Sequence, residues 1–182
     1  MSMLNTEAVA ATLKARGTRA SASLGVEEQV KKLGAGKQEV WLEDTRAELE
    51  VLDGLSPALQ ESLLCSTCRV ILDPDSATGM DAAIDQWPEW WRTGNADAFA
   101  DAYLEGMAAE PDQELAGEYH AALVTERNAR MARRMAEWLE AEEEGDYFVT
   151  LGLLHLVLEG DSVPGCLEKM GYTVERILPE NV

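Results

Sequence analysis

The sequence predicts a helix-rich α/β fold, a small and mainly parallel sheet of three or so strands packed by several helices. Three observations predict it. Apolar residues make up 46% of the 182 residues and aromatic residues only 6%, while Ala, Leu and Glu recur through segments with helical spacing. Three short runs, "KQEVWL" (37–42), "YFVTL" (147–151) and "YTVERIL" (172–178), carry residues that favour a pleated, half-buried surface. The last two flank a loop and a short helix, an order that favours parallel pairing. The chain is long enough to bury one core, so a single domain over 1–182 is the expectation, with 1–23 as a helical N-terminal extension.

Residues 5–16 place Val9 and Leu13 at helical spacing and stop at Gly17. The small, polar "RGTRASAS" (16–23) reads as a loop. Leu24, Val26, Val30 and Leu33 make a short helix ended by Gly34. The strand at 37–42 follows, then Glu43. Asp44 or Thr45 caps the next helix, which carries Leu49 and Leu52 and ends at Gly54. Ser56-Pro57 restarts the chain as a cap followed by a first-turn proline. That helix runs to about Ile71, and "DPDSATG" (73–79) closes it. Met80, Ala83, Ile84 and Trp87 form another helix stopped by Pro88, and "WWRTGN" turns the chain toward a helix capped by Asn95. The longest helix is expected over 114–143, with the stripe Val124, Asn128, Met131, Met135 and Trp138. Ser162 opens a short capped helix that ends at Gly171, before the last strand.

Charge excludes some partners. A net charge of −19 argues against nucleic acid, which needs clustered Lys and Arg, and against an anionic membrane surface. The first 17 residues lack the apolar core of a secretory signal, and no apolar run is long enough to span a bilayer. The chain as given therefore reads as soluble and cytoplasmic. Cys65 and Cys68 spell C-x-x-C on a helix, but one pair supplies half a tetrahedral site. Together with Cys166 they do not make a disulfide framework, and the pair reads as small buried residues. A truncated sheet and the cluster Trp87, Trp90 and Trp91 would offer apolar surface to a second copy, making a homodimer possible.

Three residues depart from plain packing logic. Glu43 follows the first strand at its carboxyl end, and His155 follows the second, behind Gly152. Sites in parallel sheets lie beyond the carboxyl ends of the strands, so the two would emerge on one edge. Arg127, in "ERN" (126–128), sits on or beside the apolar stripe of the long helix, where a charge is costly unless paired. Glu43 is its candidate partner. Each also has a plain reading: a helix-terminus charge for Glu43, a hydrogen-bonded packing residue for His155 and a snorkelling side chain for Arg127. His120, on the same helix as Arg127, reads as surface.

Four ordered pieces resemble the TraB/GumN family, which is related to the Tiki metalloproteases and the erythromycin-esterase/ChaN-like fold. They are "LGVEEQVKKLGAGKQEVWLEDT", "WWRTGNADAF" with Asn95 where the family usually has Asp, "ERNARMARRMAEWL", and "YFVTLGLLHL…SVPGCLEKMGYTVERI". The resemblance covers 24–178. It implies a divalent-metal hydrolase, protease-like, acting on a peptide or small-molecule substrate. It makes Gly152 and His155 the second of two G-x-x-H motifs, Glu43 the acid of the "LE" motif and Arg127 the buried arginine of R-N. His155 and Glu43 would then be the metal ligands, with Mn²⁺, Co²⁺ or Zn²⁺ suiting imidazole and carboxylate, and Glu159 or Asp161 as distant substitutes. The family's opening strand with the first G-x-x-H is expected to be absent, which makes the site incomplete or weakly active in this chain alone. The alternative is a non-catalytic α/β binding or interaction domain of the same descent. Family members elsewhere are secreted or membrane-anchored.

Overall fold

The computed structural model describes residues 9–10, 12–15, 17, 25–141 and 145–177. Expectations that fall on the remaining residues, among them Leu24, the 18–23 loop, the glutamate cluster 142–144 and the end of the last strand, lie outside the described residues.

Side-chain caps open about half of the helices. Helix α1 spans Val26–Leu33. Asp44 caps α2 (Thr45–Asp53), its carboxylate accepting from the Ala47 amide at 2.8 Å. Ser56 caps α3 (Pro57–Leu72) with Pro57 in its first turn, as the sequence predicts. The Ser56 hydroxyl accepts from Leu59 N at 3.2 Å and donates to Glu118 at 2.7 Å. The cap is thereby tied to a helix 62 residues away. A 3₁₀ turn at Pro74–Ser76 and the one-turn α4 (Gly79–Ala82) follow.

Trp87–Thr93 forms α5, with Pro88 in its first turn. The expected turn at "WWRTGN" is therefore helical as far as Thr93, because a proline in a first turn starts a helix as readily as it stops one. Gly94 ends it at φ 67°, a left-handed conformation that glycine adopts without a Cβ clash. Asn95 then caps α6 (Ala96–Ala109). Trp87 packs edge-on against Phe99, and Trp91 is exposed.

The long helix is real but interrupted. It runs as α7 (Gln113–His120), a π-helical stretch Ala121–Thr125, and α8 (Glu126–Leu139). Val124, Asn128 and Met131 of the expected stripe are buried. The one-turn α9 (Leu154–Val157) and α10 (Val163–Lys169, capped by Ser162) complete the order. Gly171 follows α10 at φ 96°.

No strand or sheet forms among the described residues. This corrects the predicted α/β class: the fold is helical, and the segments 37–42, 147–151 and 172–177 are bends and irregular backbone without ladder partners. The reason is visible in the packing. Leu42, Leu151, Tyr172 and Val174 all dock against one cluster made by Met131 and Ala132 of α8 with Val163 and Leu167 of α10. Alternating apolar residues report that one face of an extended segment is buried. Here the residues that dock meet a pair of helices rather than a neighbouring strand, while Trp41, Phe148 and Ile177 stay exposed, so apolar content in these runs carries no information about backbone pairing.

A second cluster joins Ala100 and Tyr103 of α6, Val124 of the π-helical stretch and Leu158, with Leu154 and Val157 of α9 packed on it. The segment 124–131 thus passes from one cluster to the other. Asn128 lies between them, fully buried. The loop between α9 and α10 is held close: a Cβ on Gly165 would meet the Gly160 backbone at 3.3 Å, so only glycine fits that approach without a shift. Cys65 and Cys68, expected to be buried, are both exposed on α3. Their i, i+3 spacing places them on one face, and that face is turned to solvent.

Candidate functional site: a buried Arg–Asn pair on a π-interrupted helix

The start of α8 supplies two consecutive polar groups, Arg127 and Asn128, and each finds a partner from outside the helix. Arg127 grips Glu43 with Nη2 to Oε2 at 2.7 Å and Nε to Oε2 at 3.0 Å and Oε1 at 3.3 Å. The carboxylate side chain is 12% exposed and the guanidinium side chain 20%. Arg130, one turn on, places Nη2 3.5 Å from Glu43 Oε1, and that nitrogen is buried with no hydrogen-bond partner. Two guanidinium charges therefore face one carboxylate. The expected pairing of Arg127 with Glu43 is present, and it ties the segment before α2 to α8.

Asn128 turns the other way. Its Oδ1 lies 2.6 Å from His155 Nδ1, and its Nδ2 donates to the backbone carbonyl of Asp161. His155 is carried by the single turn α9, whose amide nitrogen bonds back to Gly152 O at 2.9 Å. A Cβ on Gly152 would stand 3.6 Å from the imidazole Cδ2, ordinary contact, so packing against the ring alone does not demand glycine there. Burial lowers the His155 pKa below its ordinary value, the Arg127 charge lowers it further, and the Glu43 charge opposes them. Both charges act on the imidazole, so the three residues singled out from the sequence share one neighbourhood. The expectation that Glu43 and Gly152 share one end of a sheet has no sheet to refer to, and α8 does the gathering instead.

Asp161 extends the network. Its carboxylate faces His120 Nε2 at 3.4 Å, and His120 Nδ1 lies 2.8 Å from the Tyr103 hydroxyl. Burial pushes the Tyr103 hydroxyl far above its usual range, keeping it protonated. His120 is thus half-buried and bonded on both ring nitrogens, which corrects its reading as surface. The sequence carries a signal for it. Gly117-Glu118-Tyr119-His120 spells G-x-x-H a second time, against the expectation that no second copy exists. This copy lies on α7, within a helix rather than on an opening strand. Asn128 is legible in the sequence as a stripe residue but not as a site residue. Its signal is a fully polar amide at an apolar stripe position, which burial permits only if its hydrogen bonds are satisfied.

The donors do not fit a metal ion. Both oxygens of Glu43 accept from Arg127, and a second guanidinium stands beside them. Among the described residues no three His, Cys, Asp or Glu side chains converge as ligands. Glu159 is exposed, and Asp161 is engaged with His120. One concave surface among the described residues lies between α2 and α3, lined by Leu49, Leu52, Leu55, Gln60 and Leu63 among others. Glu43, Arg127 and His155 take no part in it. No helix among the described residues is long and apolar enough to cross a membrane.

No curated protein and no solved structure matches the chain. The family model described as the TraB/PrgY/gumN family matches residues 2–176, nearly the whole length and including residues 2–23. The arginine and asparagine of "ERN" and the histidine of "GLLH" that build the network all lie inside that span. The chain belongs to the TraB/PrgY/gumN family.

Proposed function

We propose that the chain is a hydrolase-type domain of this family in which His155 is the proton acceptor of the site, incomplete or weak as a catalyst by itself. The observation that supports it is the pairing of His155 Nδ1 with a buried amide beside the Glu43–Arg127 ion pair. An imidazole whose pKa is lowered by burial and by a neighbouring guanidinium is neutral at physiological pH and able to take a proton. In hydrolysis it would take that proton from the water attacking an acyl carbon. The substrate class is a peptide or small acyl compound. Because the donors do not fit a metal, no step here passes through one.

A second reading has its own observation. The Glu43 carboxylate is engaged by two arginines, as in a structural tie, which favours a non-catalytic binding or interaction domain. One experiment separates the two. Wild type and His155→Ala are assayed on peptide and activated-ester panels, and melted to confirm that both are folded at the assay temperature. Turnover by the wild type that is lost in His155→Ala supports the hydrolase reading. Absence of turnover by the wild type on every substrate replaces it with the interaction reading.

A further inference from the structure

The Asp161 backbone carbonyl only accepts hydrogen bonds, so the nitrogen of the Asn128 amide must face it. That leaves Oδ1 toward His155 Nδ1 at 2.6 Å. Because Oδ1 also only accepts, the proton of this bond belongs to Nδ1. The same logic gives the other histidine the opposite arrangement. The Asp161 carboxylate accepts from His120 Nε2 at 3.4 Å, and His120 Nδ1 accepts from the Tyr103 hydroxyl at 2.8 Å. One residue, Asp161, therefore constrains both imidazoles, one through its side chain and one through its carbonyl and Asn128.

We propose that Asn128 is a positioning residue that holds neutral His155 as the Nδ1–H tautomer, leaving Nε2 as the acceptor atom of the site, while the Tyr103–His120–Asp161 chain holds His120 as the Nε2–H tautomer. Imidazole in water prefers a proton on Nε2, so His155 is held against its solution preference and His120 in line with it. The reason lies in Asn128. A buried amide with both ends satisfied cannot turn over without orphaning two polar groups at once. His155 Nε2 carries no hydrogen bond among the described residues, so the lone pair left there is the one a ligand would meet. The inference deepens the hydrolase reading by naming the atom that would take the proton. It stands or falls separately from turnover.

The chain has two histidines, which makes the test direct. Long-range ¹H–¹⁵N spectra of the uniformly ¹⁵N-labelled full chain at mildly alkaline pH report which nitrogen of each ring is protonated, and His120→Gln assigns the pair. The expected result is one ring of each tautomer, with His155 as Nδ1–H. Asn128→Leu should return His155 to Nε2–H, a change that loss of a merely space-filling side chain would not produce. A wild-type His155 protonated on Nε2 overturns the proposal, and so does Asn128→Leu with Nδ1–H retained. If Asn128→Leu does not fold, the wild-type spectrum decides alone.

Discussion

Replacing Glu43 with glutamine should cost this protein about 2–3 kcal/mol, more than removing either of its arginine partners. The pair is mostly buried, with side-chain exposures of 12% for Glu43 and 20% for Arg127, and 40% for Arg130. Removing one member of a fully buried ion pair costs about 3–5 kcal/mol, because the other charge is stranded. The one-fifth exposure of Arg127 lets water recover part of that, which places the loss below the full range. The glutamine side chain keeps the volume and one acceptor but leaves two guanidinium groups without a counter-charge. Arg127→Met, by contrast, leaves Glu43 with Arg130 at 3.5 Å, so its loss should be smaller, about 1–2 kcal/mol after the same discount. In a chain of this size about 2–3 kcal/mol corresponds to a fall in Tm of about 5–10 °C. Urea and thermal melts of wild type, both single variants and the double variant form a cycle, and the double should lose clearly less than the sum of the singles. A Glu43→Gln variant within about 0.5 kcal/mol of wild type, or a double variant at the sum of the singles, would refute the idea that this pair fastens the 37–44 segment to α8.

Other outcomes follow from the same contacts. His155 has a folded-state pKa below its ordinary value of about 6.5, so the unfolded chain binds the extra proton first as pH falls. The stability it contributes is full above about 6.5 and is lost as pH drops from there toward the folded value; melts across that window should flatten in His155→Gln. His155→Ala should cost about 1–3 kcal/mol, since it leaves the buried Asn128 Oδ1 without its donor. Ser56→Ala removes both a helix cap and a hydrogen bond to Glu118 and should cost about 1–2 kcal/mol by chemical denaturation. Gly165→Ala pushes a methyl toward the Gly160 backbone at 3.3 Å and should cost about 1–3 kcal/mol, with α10 the first segment to lose hydrogen-exchange protection.

Several features are legible in the residues themselves. Asp44, Ser56-Pro57, Asn95 and Ser162 open helices where the sequence places them, and Gly171 closes one. A cap satisfies amides within three residues of itself, so its physics is written locally. The Arg127–Glu43 pair is legible for a related reason. A charge on an apolar stripe must find a partner, and the sequence offers Glu43 in a family-like position.

What the tertiary structure decided is non-local in every case. The three runs look like strands because of their apolar and β-branched residues, yet the ones that pack, Leu42, Leu151, Tyr172 and Val174, dock on α8 and α10 and no ladder forms among the described residues. Cys65 and Cys68 share a face by their spacing, but which face meets solvent depends on what packs on the other side of α3. His120 sits in a G-x-x-H on a helix, and only the return of the chain at Asp161 turns it from a surface residue into part of a network. Asn128 is the clearest instance: its place on the stripe was fixed by its position in the chain, but the direction of its amide was set by a carbonyl 33 residues away. Spacing along a helix assigns a residue to a face. Only the partner on the far side of the contact decides which of its atoms gives a proton and which receives one.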